Sequence, residues 1–119
     1  MATTDVIFSE AIAFLQAGRT NDAEKSLRKL LRRTSDHPLA LSILGAILVG
    51  AGKHAESEPF LRSAVRYNPN AHAALYNHGL ALKALGRADE ALAQLTRALE
   101  RAERQGIVRR TGGCWQLGA

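Results

Sequence analysis

The sequence predicts an all-α fold, an α-solenoid of three antiparallel helical hairpins. Three observations carry that prediction. Glycines, leucines and alanines recur at a fixed offset of 34 residues, apolar residues between them follow a period near 3.6, and a glycine interrupts each unit midway. An ordinary helical bundle requires no such fixed period. Composition agrees: apolar residues make up 46% of the 119, and only 5% are aromatic. Ala and Leu dominate, and both have high helix propensity.

The frame is set by laying Gly45 on Gly79. Leu41 then falls on Leu75, Leu48 on Leu82, Gly52 on Gly86, Leu61 on Leu95 and Ala64 on Ala98. One step back places Ile7, Ala11, Phe14, Gly18, Ala23, Leu27 and Leu30 on the same frame. The units are 4–37, 38–71 and 72–105, with 106–119 left as a tail. In the first unit, Ile7, Ala11 and Phe14 mark one helix, Gly18 breaks it, and Ala23, Leu27 and Leu30 mark the next. Leu41, Gly45 and Leu48 begin the second unit, Gly52 breaks it, and Leu61 and Ala64 continue it. The third unit shows Leu75, Gly79, Leu82 and Leu85, then Gly86, then Leu92, Leu95, Ala98 and Leu99. Gly tolerates positive φ without steric cost, so it suits each mid-unit break. Asp89-Glu90 and Glu56-x-Glu58 stand at helix starts, where acids complement the helix dipole. Helices of about 14 residues joined by such tight turns must lie antiparallel.

Leu-x-x-[Leu/His]-Gly-x-x-Leu, then Gly-[Lys/Arg], then an Ala, Leu, Ala and Asn-Pro, resembles the tetratricopeptide repeat. LSILGAILVGAGKHAESEPFLRSAVRYNPN matches the pattern well. Some positions depart from it. Glu10 stands where the family usually has Leu, Ser57 replaces an Ala, and Pro69 has no counterpart at Ser35 or Glu103. Pro59 should remove one backbone hydrogen bond from its helix or delay the helix start. Gly45 and Gly79, with Ala64 and Ala98 opposite, read as contacts that let paired helices approach.

No catalytic constellation is present. His37, His54, His72 and His78 lack metal-ligand spacing and read as surface or turn residues. No Gly-x-Gly-x-x-Gly or Gly-Lys-Ser/Thr loop offers a phosphate cradle, and Cys114 has no His near it in sequence. The expectation is a non-enzyme with no cofactor and no metal. A lone cysteine requires no oxidising compartment, the N-terminus does not read as a signal peptide, and no run approaches about 20 apolar residues. A soluble, cytoplasmic protein with no membrane contact is expected.

The formal charge is +5, from 16 Lys and Arg against 11 Asp and Glu. Lys25, Arg28, Lys29, Arg32 and Arg33 recur at steps of three and four, giving one helix a basic stripe. That stripe is a candidate contact for phosphates or an acidic partner. No aromatic residues interleave in it to stack bases, so a solvated outer face is favoured and nucleic acid disfavoured.

The resemblance implies a right-handed superhelix whose first helices line a concave groove. On the family's groove positions stand Asp5, Phe8, Ile12, Leu15 and Gln16; Leu39, Ser42, Ala46, Val49 and Gly50; and Ala73, Tyr76, Leu80, Lys83 and Ala84. The residues expected to bind a partner are Phe8, Ile12, Leu15, Gln16, Ser42, Val49, Tyr76, Asn77, Leu80 and Lys83. One subfamily grips the carboxylate of heat-shock chaperone tails with Lys, Asn and Arg. Here those positions hold Phe8, Ile12, Ile43, Ala73 and Asn77, so that clamp is absent. The resemblance therefore implies a protein-interaction scaffold with a rather apolar groove for a peptide or an amphipathic helix. Two alternatives stand beside it: an interaction or oligomerisation region of a larger multidomain enzyme, and an acidic-partner or nucleic-acid binder using the basic stripe on residues 25–33. TGGCWQLGA (111–119) overlays on HAALYNHGL (72–80), putting Trp115 over Tyr76 and Gly118 over Gly79. The tail then reads as the truncated start of a fourth unit. A last helix exposing Leu92 and Leu95 would invite pairing with a second copy.

Overall fold

The computed structural model describes residues 3–111 and 114–117. Six helices follow in order: α1 (Thr4–Gln16), α2 (Thr20–Arg33), α3 (Pro38–Gly50), α4 (His54–Tyr67), α5 (His72–Ala84) and α6 (Ala88–Arg104). Two strands end the chain, β1 (Val108–Thr111) and β2 (Cys114–Leu117). Helices pair as α1–α2, α3–α4 and α5–α6, and the pairs stack through α2–α3, α4–α5 and α3–α5. The fold is a helical solenoid.

Local chemistry sets the helix limits. Thr3 caps α1 by accepting from the Val6 amide at 3.2 Å, and His37 caps α3 by accepting at Nδ1 from the Ala40 amide at 3.1 Å. Pro38 occupies the first turn of α3, where a missing N–H costs nothing. The first helix of each pair ends at a glycine with φ of 75° to 79°, namely Gly18, Gly52 and Gly86. At each, the glycine amide and the following amide reach back to the last turn, as in Gly18 to Leu15 O and Arg19 to Phe14 O. This is the Schellman arrangement, repeated three times.

Of the second helices, α2 and α4 stop differently, whereas α6 closes on Gly106 as the first helices do on their glycines. Thr34 and Asn68 leave α2 and α4 with extended backbone, and Pro69 disfavours helix at Asn68. No proline stands at Glu103, and α6 runs to 17 residues against 14 in α4. Pro59 does not delay α4, which starts at His54. It only removes one bond, and exposed Ala55 leaves the freed carbonyl near water.

The core follows the repeat. Ile7, Leu27, Leu30, Leu44 and Leu48 form one buried cluster, and Leu41, Val65, Leu75 and Ala98 belong to a second. Leu31 and Phe60 pack against both. A Cβ on Gly45 would collide with Leu61 Cγ, and one on Gly79 would lie 2.6 Å from Leu95 Cγ. These two glycines are contact points between the helices of a pair.

The tail departs from a fourth helical unit. After Gly106 closes α6, β1 and β2 pair antiparallel, with Val108 opposite Leu117 and Thr111 opposite Cys114. Ile107-Val108, Thr111 and Trp115 prefer extended backbone, and this local preference wins over the short overlay. Gly112, Gly113 and Gly118 lie outside the described residues, as do the side chains of Cys114 and Trp115.

Candidate functional site

The first helices carry the candidate groove. Leu80 and Asn77 are half-buried on α5, while Tyr76 is 47% exposed and Lys83 is open to solvent. On α1, Phe8, Ile12 and Leu15 are half-buried and Gln16 is exposed. Phe8 rests on the first core cluster and tilts against the His37 ring, 5.1 Å between centroids. Val49 and Ser42 are half-buried on α3.

A cleft of about 170 Å³ opens where the starts of α3 and α5 meet the end of α4. Leu39, Ser42, Ala73 and Ala74 line it with Pro38, Ala64 and Ala71, and Asn68 and His72 add polar atoms. Of the ten residues expected to bind a partner, only Ser42 lines this cleft. The other nine lie elsewhere on the first helices. Leu39, 57% exposed, and Ala73 come from the wider groove map. Pro38, Asn68 and His72 were not legible as site residues, because they lie at helix ends where no periodicity points inward. His72 is also held from behind, since its Nδ1 lies 2.9 Å from Gln105 Oε1.

A second cleft, of about 260 Å³, lies under the basic stripe. Arg28, Leu31 and Arg32 of α2 line it with Leu44 of α3 and Phe60 of α4. Arg28 donates to Glu24 at 3.0 Å and also pairs with Glu56, across to α4. Burial opposes its charge, yet hydrogen bonds and attraction from Glu24 and Glu56 hold the guanidinium above its usual pKa. It also lies 5.8 Å over the Phe60 ring. The stripe thus does meet an aromatic ring, one supplied by another helix. Lys25 and Lys29 are exposed beside it, and so are Arg32 and Arg33.

Two sequence expectations change here. His78 is not a surface residue, and Glu58 is not a helix-opening acid. They are 5% and 6% exposed, and His78 Nε2 meets Glu58 Oε2 at 2.8 Å across the α4–α5 junction. Arg62 donates to the other carboxylate oxygen at 3.1 Å, and Arg87 approaches it at 3.5 Å. Spacing along one helix could not reveal a pair 20 residues apart. Ser57, also buried, donates its hydroxyl to His54 O at 2.8 Å, so its substitution for Ala leaves no unpaired polar atom. Among the described residues, no three His, Cys, Asp or Glu side chains gather as a metal site, and no helix is long and apolar enough to cross a membrane.

A family model described as "Tetratricopeptide repeat" matches residues 8–66 and 47–106. Comparison with curated proteins gives no match. Among solved structures, the chain is similar to MamA AMB-1, at 27% identity and TM-score 0.77, covering 87% of this chain and 57% of that one. It is similar to MamA from Desulfovibrio magneticus RS-1, at 21% identity and TM-score 0.76, covering 83% and 56%. A third is the first TPR of Spaghetti (RPAP3) bound to the HSP90 peptide SRMEEVD, at 21% identity and TM-score 0.75, covering 82% and 78%. The chain spans about 60% of the length of the first MamA structures it matches.

Proposed function

Because the chain belongs to the tetratricopeptide repeat family, we propose that it is a protein-interaction scaffold without catalytic activity of its own. Its inner face, on α1, α3 and α5, takes a peptide or an amphipathic helix. The observation that carries this reading is the cleft between α3 and α5, apolar in its walls and edged by Ser42, Asn68 and His72. Such a cleft accepts one apolar side chain while polar groups hold the adjacent backbone. Phe8, Ile12, Leu15, Val49 and Leu80 extend the apolar surface, with Tyr76 as an exposed aromatic anchor and Gln16, Asn77 and Lys83 as polar contacts. A structural neighbour holds a peptide of the HSP90 type, which supports a peptide ligand in general. This chain offers Phe8, Ile12, Ile43, Ala73 and Asn77 at the carboxylate-clamp positions, so its ligand is apolar and not an acidic chaperone tail.

Cytoplasmic placement belongs to the same reading. So does self-association through α6, favoured by Leu92, which is 67% exposed on the last helix. Service as the recruiting region of a larger enzyme uses the same surface. The test is affinity capture with the wild type, with Tyr76→Ala/Leu80→Ala, and with Ser42→Trp, which plugs the cleft. Loss of the same captured proteins from both variants is expected. Recovery of an unchanged set by both would end the groove reading.

A further inference from the structure

We infer that the α2–α4 cleft is a second interaction surface, which takes an acidic peptide segment bearing one bulky apolar side chain. Apart from Leu44 of α3 it is lined by the second helices α2 and α4, and it shares no residue with the expected groove of the first helices. Its floor is Leu31, Leu44 and Phe60, and its rim is Arg28 and Arg32. At about 260 Å³ it falls below the range of drug-sized ligand sites, roughly 300–1,000 Å³, and suits a single side chain.

Charge decides the kind of peptide. Helix α2 carries two carboxylates, and both are already engaged: Asp22 by Arg19 at 2.8 Å and Glu24 by Arg28 at 3.0 Å. Glu56 of α4 is taken by Arg28 as well. Arg28 is therefore a fixed wall, held by two carboxylates and laid over Phe60. Among the described residues, Lys25, Lys29 and Arg32 have no ion-pair partner, and Arg32 stands one turn beyond Arg28 on the cleft rim. A ligand carboxylate beside the buried side chain would meet Arg32, where a planar fork suits two-point pairing. Lys29, on the adjoining row, would attract further acids. Nucleic acid fits less well. Base stacking needs an open aromatic face, and the guanidinium of Arg28 covers that of Phe60.

Three labelled probes test this by fluorescence anisotropy on the whole chain. They are a short glutamate–serine peptide with one central phenylalanine, the same peptide with alanine there, and an oligothymidylate. The phenylalanine peptide should bind, and its alanine twin should bind roughly tenfold more weakly, since the apolar anchor is lost. Arg32→Glu should weaken the phenylalanine peptide by a similar factor while circular dichroism shows an unchanged fold. Tyr76→Ala/Leu80→Ala should leave its binding intact. Equal binding of the two peptides would overturn the proposal by reducing the cleft to a charged surface. Tighter binding of the oligothymidylate would overturn it in favour of nucleic acid. Loss of binding in Tyr76→Ala/Leu80→Ala, with Arg32→Glu unaffected, would assign the probe to the inner groove instead.

Discussion

Replacing Gly79 with Ala tests how closely α5 and α6 are packed. A methyl there would lie 2.6 Å from Leu95 Cγ, 2.7 Å from its Cδ2 and 3.4 Å from Ala91 O. Because Cγ is the branch carbon, rotation about the next bond moves both methyls but clears no space. Overpacking of this kind costs about 1–3 kcal/mol. Ala for Gly within a helix recovers about 0.5–1 kcal/mol of backbone entropy. The expected net loss is about 1–2 kcal/mol. Gly50, near the end of α3, meets nothing within 4 Å, so Gly50→Ala should gain about 0.5–1 kcal/mol. Chemically identical substitutions on neighbouring first helices should then differ in sign. Urea midpoints followed by far-UV circular dichroism measure both, and a Gly79→Ala/Leu95→Ala cycle should show coupling of about 0.5–3 kcal/mol. If Gly79→Ala matched Gly50→Ala in stability, the close approach would not exist.

The Glu58–His78 pair predicts an asymmetry. His78→Leu leaves Glu58 paired with Arg62 and Arg87 and should cost less than about 1 kcal/mol, whereas Glu58→Ala leaves a buried imidazole without its partner and should cost about 1–3 kcal/mol in thermal or urea unfolding. The hydrogen bond from Arg87 holds the Glu90 carboxyl below its usual range. Its folded pKa is thus lower than its unfolded one, so the stability it contributes is present above the ordinary carboxylate pKa, about 4.3, and is lost as pH falls through the folded value. Glu90→Gln should flatten that part of the acid-side decline in urea midpoint, and an unchanged slope would contradict the pairing. Leu92→Glu should make the chain more monomeric in light scattering if α6 pairs copies, because a carboxylate would then be desolvated in the contact.

The helical elements were legible because the sequence states the same instruction several times. Gly18, Gly52 and Gly86 each close a first helix, and Leu27, Leu61, Leu75 and Leu82 each fill a core position. Contacts between units were not legible. The Arg28–Glu56 and Glu58–His78 pairs join residues 28 and 20 positions apart, and only the stacking brings them together. Phe60 shows the same limit: it serves the basic stripe from a different helix. Of the inner groove, Ser42 reached the α3–α5 cleft, but Asn68 and His72 entered it from helix ends that carry no repeating signal. In the tail, nine residues of overlay weighed less than β-branched Val108 and Thr111 beside a terminating glycine.

Leu31 and Phe60, packed against both buried clusters, bear on how the chain comes apart. In a linear array, each hairpin's own stability adds to a term for its junction with the next. Shared side chains strengthen that junction term, since opening one cluster strips contacts from the other. Amide hydrogens in α2, α3, α4 and α5 should therefore exchange through a common opening, as one cooperative unit, and α6 beyond Ala98 should exchange sooner. A side chain seated beside Phe60 would slow exchange across both clusters at once.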